Sequence, residues 1–166
     1  MNNRKNCLVI GNDREINLYL NMISRNPFVR YNVHPEYSEL IIKRKDTYHT
    51  FYIKDSDDIN DFEKYDCIII VFDISSEISS QNALNILSEV LKQKSFYKIF
   101  MCYTNSDRII EEDDNINEDE DEDEIIEKIE SEDINHCMFG IKNNFEILKP
   151  FNQFASFGLA AKKLKV

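Results

Sequence analysis

Residues Gly11 to Leu18, GNDREINL, follow the apolar run CLVI and open a segment with helical spacing. A phosphate loop of the Walker type occupies this place and reads Gly, four residues, Gly, Lys, then Ser or Thr. Backbone N–H groups, an ammonium and a metal-binding hydroxyl must all converge on the phosphates. Here Gly11 alone matches; Ile16 stands at the second glycine, Asn17 at the lysine and Leu18 at the hydroxyl. Asp13 and Glu15 add negative charge where phosphates would lie, and like charges ~4 Å apart repel by ~4 kcal/mol at a surface-like dielectric. A shift of ~1.4 kcal/mol is already tenfold in affinity. Glycine occurs only at 11, 140 and 158, so no compensating phosphate nest is visible. The stretch is therefore expected to bind no nucleotide and to serve as a tight strand–helix turn.

Other chemistries find no better footing. His34, His49 and His136 are dispersed. His136 and Cys137 are adjacent, so in a strand their side chains point to opposite faces and cannot form a nucleophile–base pair. Cys7, Cys67, Cys102 and Cys137 form no Cys-x-x-Cys pair and each lies in or beside an apolar run, which suits buried, reduced thiols. The acids lack the glycine-bearing order of a calcium loop. Bases are scattered without a nucleic-acid footprint. No catalytic residue, cofactor, metal or direct nucleic-acid contact is expected.

The elements that would position such residues follow from apolar periodicity. At 166 residues the chain suits one domain, 1–166. Residues 111–124, EEDDNINEDEDEDE, hold eleven of the 31 acids that set the net charge of −11, so the rest balances 20 bases with 20 acids. We expect 111–133 to be an acidic, largely disordered insert. No apolar stretch approaches the roughly 18 residues of a membrane span and no secretory leader is visible, so no membrane is expected and the nucleus or cytoplasm is. Cys7–Ile10 reads as a buried strand, Ile16, Tyr19, Leu20 and Ile23 as one helix face, and Glu39–Ile42 with Thr50–Ile53 as a hairpin. YDCIIIVFD, unbroken and apolar, is expected at the centre of a parallel sheet. Ala83, Leu84, Leu87, Val90 and Leu91 predict an amphipathic helix to about Lys94, and KIFMCYT the next strand, a right-handed β–α–β unit. HCMFGI is a last strand, and the Phe-rich tail a closing helix broken or bent near Pro150.

This order resembles that of Ras-like GTPases along nearly the whole chain, which implies an α/β, P-loop GTPase-like domain with a mostly parallel sheet flanked by helices. The family's DxxG falls on Asp55, Ser56, Asp57 and Asp58, without the glycine. Its guanine-reading Asn-Lys-x-Asp falls on Thr104, Asn105, Ser106 and Asp107, where the last residue alone agrees. The domain is thus expected to be degenerate.

Tyr65 to Arg108 narrows the likeness. Asp66 precedes an Ile/Val-rich strand, Ser79-Ser80-Gln81-Asn82 opens the next helix, Phe96 precedes Lys98 and a strand, and Thr104 and Arg108 follow it. In these features, and in CLVIG, the chain resembles the centromere protein M family, GTPase-like kinetochore components that bind no nucleotide. The resemblance implies a nuclear, structural subunit of the constitutive centromere-associated network, important to chromosome segregation. It would lie beside the helical-repeat centromere protein I, with centromere proteins H and K in the same assembly. A degenerate Rab-like adaptor of membrane or ciliary traffic is the alternative, although the chain ends LKV without a prenylation cysteine; a weak hydrolase with an unrecognised pocket is the third. Phe96 and Tyr97 are candidates for the partner surface, either covered by the domain's own helices or serving as anchors. Phe151, Phe154 and Phe157 either extend that patch or pack in the core.

Overall fold

A computed structural model describes residues 2–56, 62–106, 120–140 and 144–164, with backbone alone at 2, 120–121, 144–145 and 157–164. The strands are β1 (Asn2–Gly11), β2 (Arg30–Val33), β3 (Ser38–Arg44), β4 (Thr47–Ser56), β5 (Cys67–Asp73), β6 (Ile99–Thr104) and β7 (Asn135–Met138). The helices are α1 (Asp13–Ser24), α2 (Glu77–Leu91), α3 (Glu120–Ser131) and α4 (Lys149–Leu164). The chain is an α/β protein whose seven strands form one sheet in the order β2-β3-β4-β1-β5-β6-β7. From β4 to β7 all pairs are parallel; β2–β3 and β3–β4 are antiparallel.

Every residue of β5 and β6 is buried, as their unbroken apolar sequences require of strands covered on both sides. The central position belongs to β1, however, with β5 as its neighbour, because β4 and β5 flank the first strand. On one face Ile16, Tyr19 and Ile23 of α1 and Phe151 and Phe154 of α4 pack on Cys7, Val9, Phe51, Ile69 and Cys102. On the other, Ala83, Leu87 and Val90 of α2, Ile129 of α3 and Phe62 pack on Leu8, Ile10, Ile70 and Met101. At ~25 cal/mol per Å² of apolar area removed from water, these two layers are the main favourable term in folding.

Three local features depart from the periodicity. Strand β2 was not anticipated; its RYNV is held by antiparallel register with β3, Arg30 opposite Ile41. Within the expected insert 111–133, residues 120–131 form helix α3, whose Ile125, Ile126 and Ile129 reach the second core layer; 111–119 lie outside the described residues. Pro150 neither bends nor breaks the closing helix. It is the second residue of α4, where the missing N–H would have no helical partner in any case, and the turn Asn144–Leu148 precedes it. The β3–β4 connection has two residues, and Lys45 takes the left-handed φ of 55°.

Candidate functional site

In an open α/β sheet, ligands bind beyond the carboxyl ends of the strands where the strand order reverses. That point here is the junction of β1 and β5, bounded by Gly11, Asp73 and the start of α2. Gly11 is the last residue of β1, opposite Val71 of β5, and a Cβ on it would lie 2.2 Å from the Val71 carbonyl oxygen. Its φ of 154° also suits glycine alone. Glycine is therefore required by strand packing.

Only Asn12 separates β1 from α1. The Ile16 N–H donates to the Asn12 carbonyl at 3.0 Å, so the helix has already closed where a phosphate loop would still be turning. Ile16 lies in the core, Asn17 is exposed on the helix, and Leu18 packs against the core's edge. Asn12 makes no side-chain cap; its amide donates to Ser79 Oγ at 3.4 Å. Ser79 Oγ also accepts the Asp73 N–H at 3.0 Å, and Ser76 caps α2 by accepting the Ser79 N–H at 3.2 Å. Ser79 and Ser80 are thus buried hydroxyls that tie α2 to β5.

Next to this lies a polar cluster that sequence alone did not expose. Asp73 ends β5 and its carboxylate accepts from the Ser75 N–H and hydroxyl at 3.0 and 2.6 Å. It also accepts from the Ser106 N–H and hydroxyl at 3.2 and 2.6 Å, and the two serine oxygens lie 2.8 Å apart. Burial alone would raise the carboxyl pKa, but the hydrogen bonds from Ser106 and Ser75 outweigh it and hold the group below its usual value. The cluster joins the ends of β5 and β6 and engages both carboxylate oxygens of Asp73 within the protein. Thr104 is buried beside it with Oγ1 unbonded among the described residues, and Asn105 donates to Glu122 at 3.0 Å. Asp55 and Ser56 end β4; Asp57, Asp58 and Asp107 lie outside the described residues.

A groove of 550 Å³ opens along α2, lined by Gly11, Asn12, Val71, Ser79, Asn82 and Ile86 among others. Of its described lining only Glu89 is ionisable, and that side chain pairs with Lys92 at 3.0 Å. It carries no acid–base pair.

The remaining reactive side chains are kept apart. His34 stacks on Tyr37, His49 is buried in β4, and His136 Nε2 meets Glu130 at 3.0 Å. Cys137 faces the first core layer, whereas His136 turns to Tyr103 of the second. The cysteines show an order that separation in sequence concealed: Cys7 is in register with Cys67 and Cys102 with Cys137, the latter sulfurs 3.7 Å apart. Burial pushes the Cys7 and Cys102 thiols up, with the adjacent thiols adding to it. Among the described residues no cluster of His, Cys, Asp and Glu could hold a metal ion.

The aromatic candidates divide. Phe96 and Tyr97 sit in the turn Phe96–Lys98 before β6, 51% and 38% exposed, with rings edge to face at 5.7 Å. Gln153 of α4 anchors their turn by donating to the Tyr97 carbonyl at 3.0 Å. Phe151 and Phe154 are no surface residues: both are completely buried, and Phe151 meets Phe51 edge to face at 5.0 Å. The Phe157 side chain lies outside the described atoms. The sequence matches no protein-family model and no curated protein.

Proposed function

We propose that the chain is a degenerate Ras-like domain that binds no nucleotide and works by holding other proteins together. The single observation that carries this reading is the one-residue connection at Asn12, with the helix closed over the positions of a phosphate loop and Gly11 committed to Val71. A loop of that kind wraps the phosphates over several residues and supplies a lysine, whereas this connection is one residue long and Asn17 stands where the lysine would. The parallel sheet and the order of its elements support the Ras-like assignment. The resemblance over Tyr65 to Arg108 supports a place in the inner kinetochore, beside a helical-repeat partner of the centromere protein I kind with centromere proteins H and K. Phe96 and Tyr97 are the anchors of that contact, since adjacent exposed aromatics are the residue types that carry most interface energy.

Titration with GTP and Mg²⁺ by calorimetry, paired with co-purification of Phe96→Glu, tests both halves. The expected results are no heat of nucleotide binding, and a variant that melts like the parent but no longer retains centromere protein I. Micromolar binding of GTP sinks the first half; undiminished retention sinks the second.

A further inference from the structure

The sheet has a second surface, on β2, β3 and β4, that does not include Phe96 and is independent of the function proposed above. Leu40, Ile42, Phe51 and Ile53 of β3 and β4 point into the first core layer. The alternate residues point the other way, and no described helix packs over them along β2, β3 and β4. Register sets these residues in rows: Arg30, Ile41, Thr50 and Arg4 in one, Asn32, Glu39, Tyr52 and Asn6 in the next. Lys43 and Tyr48 form a third, the ammonium 5.7 Å from the ring centroid, and Tyr48 is 50% exposed.

Between β4 and the turn Phe62–Lys64 this face deepens into a pocket of 430 Å³, lined by Asn6, Tyr37, Tyr52, Lys54, Lys64 and Tyr65. Tyr37 meets Tyr52 edge to face at 5.6 Å and stacks on His34 at 4.7 Å. Among the described residues Arg4, Arg30, Lys43 and Lys54 form no ion pair. The nearby acids are engaged: Glu39 accepts from Asn32 Nδ2 at 3.3 Å, and Asp66 from the Asn6 N–H at 2.7 Å. A chain of net charge −11 thus presents a face on which Arg4, Arg30, Lys43 and Lys54 outnumber the carboxylates of Glu39 and Asp66, and whose aromatic area is tyrosine.

We infer that this face docks an acidic segment of a protein partner. Carboxylates of the segment meet Lys54, Arg4 and Lys43 and accept from tyrosine hydroxyls, while its apolar side chains cover the rings, with Tyr52 at the centre. Single-stranded nucleic acid fits less well. The Tyr37 ring is already stacked on His34, and the overall negative charge repels a long polyanion while costing a short peptide little.

The test is fluorescence anisotropy with a labelled octapeptide of alternating glutamate and valine, the same peptide with lysine for glutamate, and an oligothymidine of equal length. The glutamate peptide should bind saturably and the lysine peptide should not. Affinity should fall at least about tenfold in Lys54→Glu and in Lys43→Glu, both exposed positions whose melting should stay unchanged. It should also weaken as salt rises from about 50 to about 300 mM. Absence of saturable binding, binding indifferent to both substitutions, or tighter binding of the oligothymidine through the same residues each overturns the inference.

Discussion

Replacing Gly11 by alanine separates a glycine kept for packing from one kept for phosphate. The new methyl would stand 2.2 Å from the Val71 carbonyl oxygen and 3.2 Å from its carbon. Ordinary contact lies near 3.5 Å, so β1 and β5 must part by about 1 Å in the middle of the sheet. Overpacking of that kind costs ~1–3 kcal/mol. Holding a residue with a Cβ at the φ of 154° adds a further ~1–3 kcal/mol of backbone strain. The sum, ~2–6 kcal/mol, is a large part of the ~5–15 kcal/mol by which domains are stable. At roughly 2–4 °C per kcal/mol for a chain this size, the melting temperature should drop by ~4–24 °C. Thermal unfolding by circular dichroism reads this directly. A variant that melted within about 2 °C of the parent would refute the argument, because the strands would then have absorbed the methyl without cost.

Other expectations are as concrete. All four thiols should ignore Ellman's reagent in the folded protein and react after denaturation, since all are buried away from the reagent and burial also raises the Cys7 and Cys102 pKa; rapid native reaction would contradict the cross-strand pairing. His49 is buried, and burial followed by Arg44 and Lys5 lowers its pKa, so below the ordinary value near 6.5 the unfolded chain takes up a proton that the folded one refuses. Stability should therefore decline as pH falls through that value and level off below the folded pKa, and His49→Gln should flatten the decline in urea titrations. Ile129→Ala should cost ~2–4 kcal/mol, because Ile129 is fully buried beneath α3; an unchanged urea midpoint would show that this helix contributes nothing to the core.

Much of the layout was legible because the decisive residues are close in sequence. The unbroken runs of β5 and β6 and the three-and-four spacing of Ala83, Leu87 and Val90 are local signals, and each element formed where its pattern lies. Strand β2 has no such pattern: Val33 is 76% exposed, and pairing with β3 alone makes RYNV a strand. In α3 the acids hid the helix, although Ile125, Ile126 and Ile129 already trace one face. Phe151 and Phe154, three apart, carried the same helical signal of burial. The tie from Asp73 to Ser106 and the two cysteine pairs depend on which strands are neighbours, and that information resides in the register. That Ile16, Asn17 and Leu18 depart from the phosphate-loop pattern is plain in the sequence. What their replacement does for the backbone became visible only in the single-residue turn at Asn12.

The central place of β1 has a consequence for the order in which the chain folds. Cys7 lies opposite Ile53 on one side and Cys67 on the other, so β1 leaves the ribosome before either of its partners and has none until β4 follows it. At ~5–20 residues per second that wait lasts on the order of several seconds, with CLVI apolar and unpaired throughout. Meanwhile β3 and β4, joined by two residues, can zip locally within microseconds. The hairpin is thus the natural nucleus onto which β1 docks, and β5 then encloses it from the other side. Variants that loosen the Lys45–Asp46 turn should lengthen the exposure of β1 and promote aggregation during synthesis, even where the finished fold loses little stability.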